Sequence, residues 1–243
     1  MELTVLGTYG GFPARGSACM GHLVSGRNAR VLVDCGSGSA SRLQEFASVD
    51  QLDAIVLSHL HNDHISDVGV LRYAIELGMK HSGWRPVPVY CPLTPVGALV
   101  PLDSRAFEFH FVHDGDAIAI GDLRLSFHRT DHNIETYAVA IENAGRRLVY
   151  TADAPYRDDL ADFASRADLL LAEASLLIAQ KGNNPYHMTT AEAVQLGNRA
   201  GAGRLLLTHF WCESAPQTYL AEALGAGPAC PVAIAEEGKT YTV

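Results

Sequence analysis

Apolar, strand-like runs that end on a metal-capable side chain constrain this fold more than any other feature of the chain. "AIVLS" (54–58) leads into His59, "LRLSFHRTD" (123–131) into His132, "LVYTA" (148–152) into Asp153 and "RLLLT" (204–208) into His209. Groups carried on strand ends stand on rigid supports, as a pre-organised site requires. Other β-rich runs lie at 3–7, 30–36, 107–112, 136–142, 168–175 and 231–237. Helical patterns fall at 66–78, with Ser66 as N-cap, and at 157–165, 189–201 and 215–224. The third has Thr189 or Thr190 as its cap, Glu192 in its first turn and Gly201 near its end. This order reads as α/β, two strand-rich halves with helices outside. Without a linker, low-complexity tract or short repeat, residues 1–243 are expected to form a single domain.

The 243 residues are 48% hydrophobic and 19% charged, enough for a substantial core. No apolar run approaches the roughly 20 residues of a spanning helix, so no membrane partner is expected. "MELTVLGTYGG" carries an acidic residue at position 2 and does not read as a signal peptide. The five cysteines are scattered, with no C-x-x-C pair, which fits a reducing cytoplasm. Net charge is −9, with no basic stripe to grip a long nucleic acid. Arg146-Arg147 is read as the flank of a hairpin turn after "ENAG". A small anion held by metal stays compatible with this charge.

The densest cluster is "SHLHNDHISD" at 58–67, which puts His59, His61, Asp63 and His64 into six consecutive positions. In an extended stretch, residues two apart face the same way, so His59 and His61 can converge on one ion. As the chain then turns toward a helix, Asp63 and His64 can address a neighbouring ion. Imidazole nitrogen and carboxylate oxygen suit zinc, with manganese or iron as alternatives. A solitary histidine would be read as a hydrogen-bonding loop residue, whereas H-x-H-x-D-H after a buried strand reads as a metal motif.

That motif, followed by a helix, resembles the metallo-β-lactamase fold superfamily of binuclear metal hydrolases. The resemblance implies a four-layer αβ/βα sandwich of two mixed β-sheets with helices outside. It continues in chain order through "TDHNIETYAV" (His132), "VYTADAP" (Asp153) and "LLLTHFW" (His209). It implies one metal on His59, His61 and His132, a second on Asp63, His64 and His209, and Asp153 bridging them. The ions would be two Zn2+, with Mn2+ or Fe2+ possible. "LGTYGGFP", "VLVDCGSG", "ADLLLAEAS" and "HMTTAEA" resemble the ribonuclease Z branch in particular. In that branch a glutamate supports a histidine that protonates the leaving group, and the matching residues are Glu173 and His187. Asp34 matches a family aspartate and is read as a partner of the ligand loop, because ligating imidazoles need one on their other nitrogen. Homodimerisation is common in the branch and is expected here.

Several features depart from the tRNA 3′-processing members. Their long Gly/Pro-containing arm has no counterpart, since residues 101–116 read only "PLDSRAFEFHFVHDGD". Thr136-Tyr137 replaces glycine-tyrosine, Tyr186 stands where glycine commonly precedes the H-x-T histidine, and no arginine follows "THFWCES". The reading implied is a metal-dependent phosphodiesterase acting on a small-molecule or short nucleotide substrate, such as a cyclic nucleotide or an RNA end. Two ions about 3.5–4 Å apart share a water and lower its pKa. Asp63 orients the resulting hydroxide or accepts its proton. His187, held by Glu173, protonates the departing alkoxide, help worth about 10²–10⁴-fold.

Four alternatives accompany this reading. A lactone, thioester or amide hydrolase of the same fold would be indifferent to loss of His187. A tRNA 3′-processing endonuclease lacks its arm. A di-iron oxygen-reducing protein would carry a carboxylate in place of His61. A metal-holding module without catalysis would have no use for Glu173 and His187. Sequence alone assigns no role to Trp84, Tyr73, Tyr156, Tyr186, Phe210 or Trp211.

Overall fold

The computed structural model describes residues 1–243, with fourteen strands in two sheets of seven. The first sheet contains β1 (Glu2–Gly7), β2 (Gly21–Ser25), β3 (Arg30–Cys35), β4 (Ala54–Val56), β5 (Val87–Cys91) and β6 (Phe107–Phe111). The second contains β7 (Ala117–Ile120), β8 (Leu123–Arg129), β9 (Tyr137–Asn143), β10 (Arg146–Tyr150), β11 (Leu169–Glu173), β12 (Leu205–Thr208) and β13 (Val232–Ile234). The chain then returns to add β14 (Thr240–Thr242) beside β1. Each sheet is mixed in the same way. Pairings are antiparallel from β14 to β3 and from β7 to β10, and parallel from β3 to β6 and from β10 to β13.

Parallel strands covered on both faces must be apolar along their whole length. β4, β11 and β12 are accordingly buried at every residue. Three apolar layers follow. Val5, Val33 and Val56 meet Leu125, Val139 and Leu171 between the sheets. Outside the first sheet, Leu32 and Ile55 pack with residues of α1 (Ser39–Leu43), α2 (Asn62–Ile65), α3 (Val68–Ser82) and α4 (Val96–Leu99). Outside the second, Leu170 and Leu207 pack with α5 (Asp158–Phe163), α6 (Thr190–Ala200) and α7 (Pro216–Gly225). This is the four-layer sandwich with helices outside. No helix is long and apolar enough to cross a membrane.

The expected elements are present with some corrections. The helix read at 66–78 begins after Asp67 and runs to Ser82, while Ser66 closes α2 instead of capping α3. Ser66 is unavailable as a cap because its hydroxyl bonds back to the Asn62 carbonyl. Thr189 is the cap of α6, Glu192 answers it reciprocally, and Gly201 ends the helix at φ 62°. "ENAG" does form the turn between β9 and β10, with Ala144 and Gly145 both left-handed at φ 49° and 79°. The arginines beside it are occupied, Arg146 by Asp168 and Arg147 by Glu142 and the Phe163 carbonyl. Strands β2, β5, β7 and β14 and helices α1, α2 and α4 lie outside the spans read from the sequence.

Candidate active site

The site lies where β4, β10, β11 and β12 end. His59 follows β4, and its Nε2 is 3.0 Å from Nδ1 of His61, the residue that opens α2. His132, from the loop after β8, brings its Nε2 to 3.3 Å from the same His61 nitrogen. Asp153, after β10, faces this trio through Oδ2, 3.6 Å from His59 Nε2 and 3.7 Å from His132 Nε2. Its Oδ1 faces a second group, 3.4 Å from His64 Nε2 and 3.1 Å from His209 Nε2. Asp63 Oδ2 completes that group at 3.6 Å from His64 Nε2 and 3.3 Å from His209 Nε2. All seven residues singled out as ligand candidates therefore meet, in two groups with Asp153 between them.

This donor set fits divalent ions better than a hydrogen-bonded network. His61 Nδ1 carries at most one proton or one lone pair, so it cannot satisfy two imidazole nitrogens at once. Asp153 Oδ1, which faces the second group, is buried without a hydrogen-bond partner. Buried polar groups left in this way are costly, and an ion at the centre of each group removes most of the cost. Three nitrogens and a carboxylate oxygen on one side, and two nitrogens with two carboxylates on the other, match zinc and its neighbours.

The opposite nitrogens of three rings are held in matching ways. His64 Nδ1 donates directly to Asp34 Oδ2 at 2.8 Å. Ser58 donates its hydroxyl to Asp34 at 2.8 Å and lies 3.1 Å from His59 Nδ1. Ser175 donates to Glu173 at 2.7 Å and lies 2.7 Å from His209 Nδ1. With each serine proton committed to a carboxylate, its oxygen accepts the Nδ1–H, and the Nε2 lone pair is left pointing inward. Asp34 also accepts the Ser58 N–H at 2.7 Å and the Tyr150 hydroxyl at 2.9 Å.

Backbone strain concentrates here as well. Of the five non-glycine residues with positive φ, Asp34 (57°), Ala152 (51°) and His209 (61°) belong to or adjoin the cluster. A short loop presses on His209 from the N-terminal side, tied by Phe210 N–H to the Thr8 carbonyl and by Gly10 N–H to the Phe210 carbonyl. A Cβ on Gly10 would lie 2.2 Å from His209 Cε1, so only glycine fits. The next amide, Gly11 N–H, donates to Asp63 Oδ2 at 2.7 Å.

Glu173 and His187 form the expected pair, Nδ1 to Oε1 at 3.0 Å. Glu173 is fully buried and accepts three further bonds, from the Ala154 and Ser175 amides and the Ser175 hydroxyl. With its Nδ1 on Glu173, His187 keeps Nε2 for a bound molecule. Burial opposes charge on His187, but Glu173 first, then Asp153 and Asp63, overcome it and raise its pKa to about 9. Burial opposes ionisation of Asp63 too, yet His64 and His209 hold its pKa well below the usual carboxylate range. His132 is pushed down to about 4, chiefly by burial.

The cluster opens into a cavity of about 330 Å³. Of the aromatic residues named from sequence, Tyr186 and Trp211 line it. Phe210 is fully buried in the core, Trp84 packs over Gly78, Tyr156 bonds Asp158, and Tyr73 is exposed on α3. Sequence reasoning missed Gly10, Gly11, Ser58, Tyr150 and Ser175. Ser58 opens "SHLHNDHISD" and Ser175 closes "ADLLLAEAS", but neither motif gives its serine a role. Tyr150 reaches Asp34 from the opposite sheet, and nothing local announces it.

Comparison with known proteins agrees with this architecture. The family model described as "Beta-lactamase superfamily domain" matches residues 29–210. The probable metallo-hydrolase YhfI of Bacillus subtilis (strain 168) is 36% identical over 211 residues, covering 86% of each chain. Its crystal structure superposes with a TM-score of 0.92 over 99% of both chains. Ribonuclease Z of Methanopyrus kandleri is 26% identical over 269 residues, 96% of this chain and 95% of that one. The short form of human tRNase Z, 21% identical, shares the fold with a TM-score of 0.77 over 100% of this chain and 99% of that one. By the span of the family match and the identity to YhfI, the chain belongs to the beta-lactamase superfamily, among its metallo-hydrolases.

Proposed function

We propose that this hydrolase cleaves small phosphodiesters, a cyclic nucleotide or a short RNA end, with His187 as the general acid. The observation that carries the reading is the His187–Glu173 pair, 3.0 Å apart, facing the same cavity as the two His/Asp groups. His59, His61 and His132 would hold one ion, Asp63, His64 and His209 the other, with Asp153 shared; zinc suits these donors, and manganese or iron less so. Bound there, such ions supply an acidified water and offset the negative charge that builds on phosphate oxygens.

The chain's own residues do the rest. Asp63, one oxygen fixed by the Gly11 amide, is placed to orient the attacking water and take its proton. Buried Glu173 accepts the Nδ1–H of His187 and favours its imidazolium form, which carries the second, donatable proton on Nε2. An alkoxide leaving group is a strong base and needs that proton, help worth about 10²–10⁴-fold. A lactone or thioester makes less demand on an acid, so a fully built pair favours the phosphodiester. The cavity, about 330 Å³, is at the small end of ligand pockets and supports a compact substrate. Residues 101–116, which stand in place of a tRNA-clamping arm, hold β6 and a five-residue connection to β7. The relative named ribonuclease Z supports phosphodiester chemistry in particular.

The test uses two substrates with zinc- or manganese-loaded protein. Bis(p-nitrophenyl) phosphate has a leaving group that needs little protonation, and its hydrolysis reports phosphodiester cleavage itself. A 2′,3′-cyclic nucleotide expels an alkoxide, and on it His187→Ala is expected to lose at least a hundredfold in kcat while losing much less on the aryl ester. A metal-loaded protein inert toward both, yet active on lactones or thioesters with His187 removed, would overturn the proposal.

A further inference from the structure

Two aromatic side chains, Tyr186 and Trp211, line the cavity, and a third, Phe12, packs on Trp211. Phe12, Tyr186 and Trp211 are 51%, 39% and 40% exposed. Trp211 meets Phe12 edge to face, ring centroids 5.7 Å apart at 76°. On its other flank, a Cβ on Gly11 would come within 3.3 Å of Trp211 Cζ3, so the indole rests against backbone there. The Trp211 amide is tied to the Tyr219 hydroxyl at 3.2 Å, which anchors the residue to α7. Tyr186 packs against His132, centroids 5.8 Å apart at 79°, and its amide is held by Asn184 at 2.9 Å. Trp211 therefore adjoins the His209 group, and Tyr186 the His132 group. Apart from Leu176 and two glycines, every other residue lining the cavity is polar.

A flexible acyl chain would call for a run of aliphatic side chains, and Leu176 alone supplies one here. Fixed, partly exposed rings beside a polar centre suit a flat, aromatic guest instead. We propose that Trp211, buttressed by Phe12, and Tyr186 form a stacking subsite for the nucleobase of the substrate, an assignment that rests on the phosphodiesterase reading. Asn184 Oδ1 is already taken by the amides of Tyr186 and His187, so the aromatic rings hold the base chiefly by its face.

The chain has two tryptophans, and Trp84 is packed over Gly78 away from the cavity, so quenching of tryptophan fluorescence reports on Trp211. Metal-loaded protein is titrated with adenosine, ribose 5-phosphate and adenosine 5′-monophosphate, with affinities taken from calorimetry. Adenosine and the nucleotide are expected to quench, and the nucleotide to bind about tenfold more tightly than ribose 5-phosphate, within what base–aromatic stacking supplies. Trp211→Leu, and separately Tyr186→Leu, should shrink that ratio toward one while leaving ribose 5-phosphate binding in place. Absence of quenching, with equal affinity for nucleotide and sugar phosphate in the wild type, overturns the subsite whether or not the variants fold. Hydrolysis of bis(p-nitrophenyl) phosphate together with equal affinity for the nucleotide and ribose 5-phosphate would end the subsite alone. Adenosine stacking in a protein that cleaves no phosphodiester would instead end the phosphodiesterase reading.

Discussion

Two serines carry more of this site than the sequence lets one see. Ser58 passes the demand of His59 to Asp34, and Ser175 passes that of His209 to Glu173. Glu173 thus supports His187, the proposed acid, directly and a ligand candidate through one hydroxyl. Ser175→Ala removes the acceptor for His209 Nδ1–H and frees the ring to rotate or change tautomer. Loss of such an outer partner typically costs about 10–100-fold in metal affinity. We expect chelator competition to show weaker metal binding by that factor in Ser175→Ala, with the protein's unfolding midpoint little changed. An unchanged affinity would mean that His209 is held by packing alone. Gly10→Ala is the steric counterpart. Its Cβ would overlap the His209 ring from a loop pinned by two backbone bonds, so the ring must move. Elemental analysis of the purified variant should show metal lost relative to wild type.

At the scale of elements, legibility followed how local each cause is. The α6 boundaries could be read because cap, reciprocal glutamate and terminal glycine all lie within the helix's own sequence. Helix α1 could not, because its N-terminal amides at Gly38 and Ala40 are satisfied by Asp67, which belongs to the approach to α3. Strand β5 contains Pro88 in "VPVYC", a residue that argues against an interior strand, yet it pairs on both sides. The α6 cap also reaches the site, since Lys181 joins Glu192 to the His187 carbonyl. Thr189→Ala should cost about 1 kcal/mol in denaturant unfolding. It should also lower activity beyond what that stability loss explains. Helix α3 bears on assembly: Val70, Tyr73 and Leu77 form an exposed apolar stripe, with Tyr73 61% exposed. If the homodimer implied by the family resemblance forms on this stripe, Tyr73→Lys should sediment as a monomer with normal metal content.

Across the whole molecule, the candidate ligands were legible because each stands at the end of a strand or in one dense motif. What joins the two sheets was not, because cross-sheet contacts leave no periodicity in either partner. Tyr150 of β10 reaching Asp34 of β3 is one such contact. His22 of β2, edge-on to Tyr150 with centroids 5.2 Å apart, is another, and it makes the junction sensitive to acid. His22 is buried with neither nitrogen hydrogen-bonded. Burial pushes its pKa down to about 4, with His64 adding to the effect and Asp34 opposing it. In the unfolded chain a histidine titrates near 6.5. Between those values the unfolded state binds the proton and the folded state does not, so stability falls as pH falls through this window, by at most about 1.4 kcal/mol per pH unit. Above pH 6.5 His22 is neutral in both states and contributes no pH dependence. His22→Phe keeps a ring against Tyr150 and removes the proton site. Urea unfolding of both proteins at pH 7 and pH 5 should therefore show the wild type losing more stability than the variant. Equal losses would mean that His22 takes up its proton inside the folded sandwich, with the junction opening to admit it.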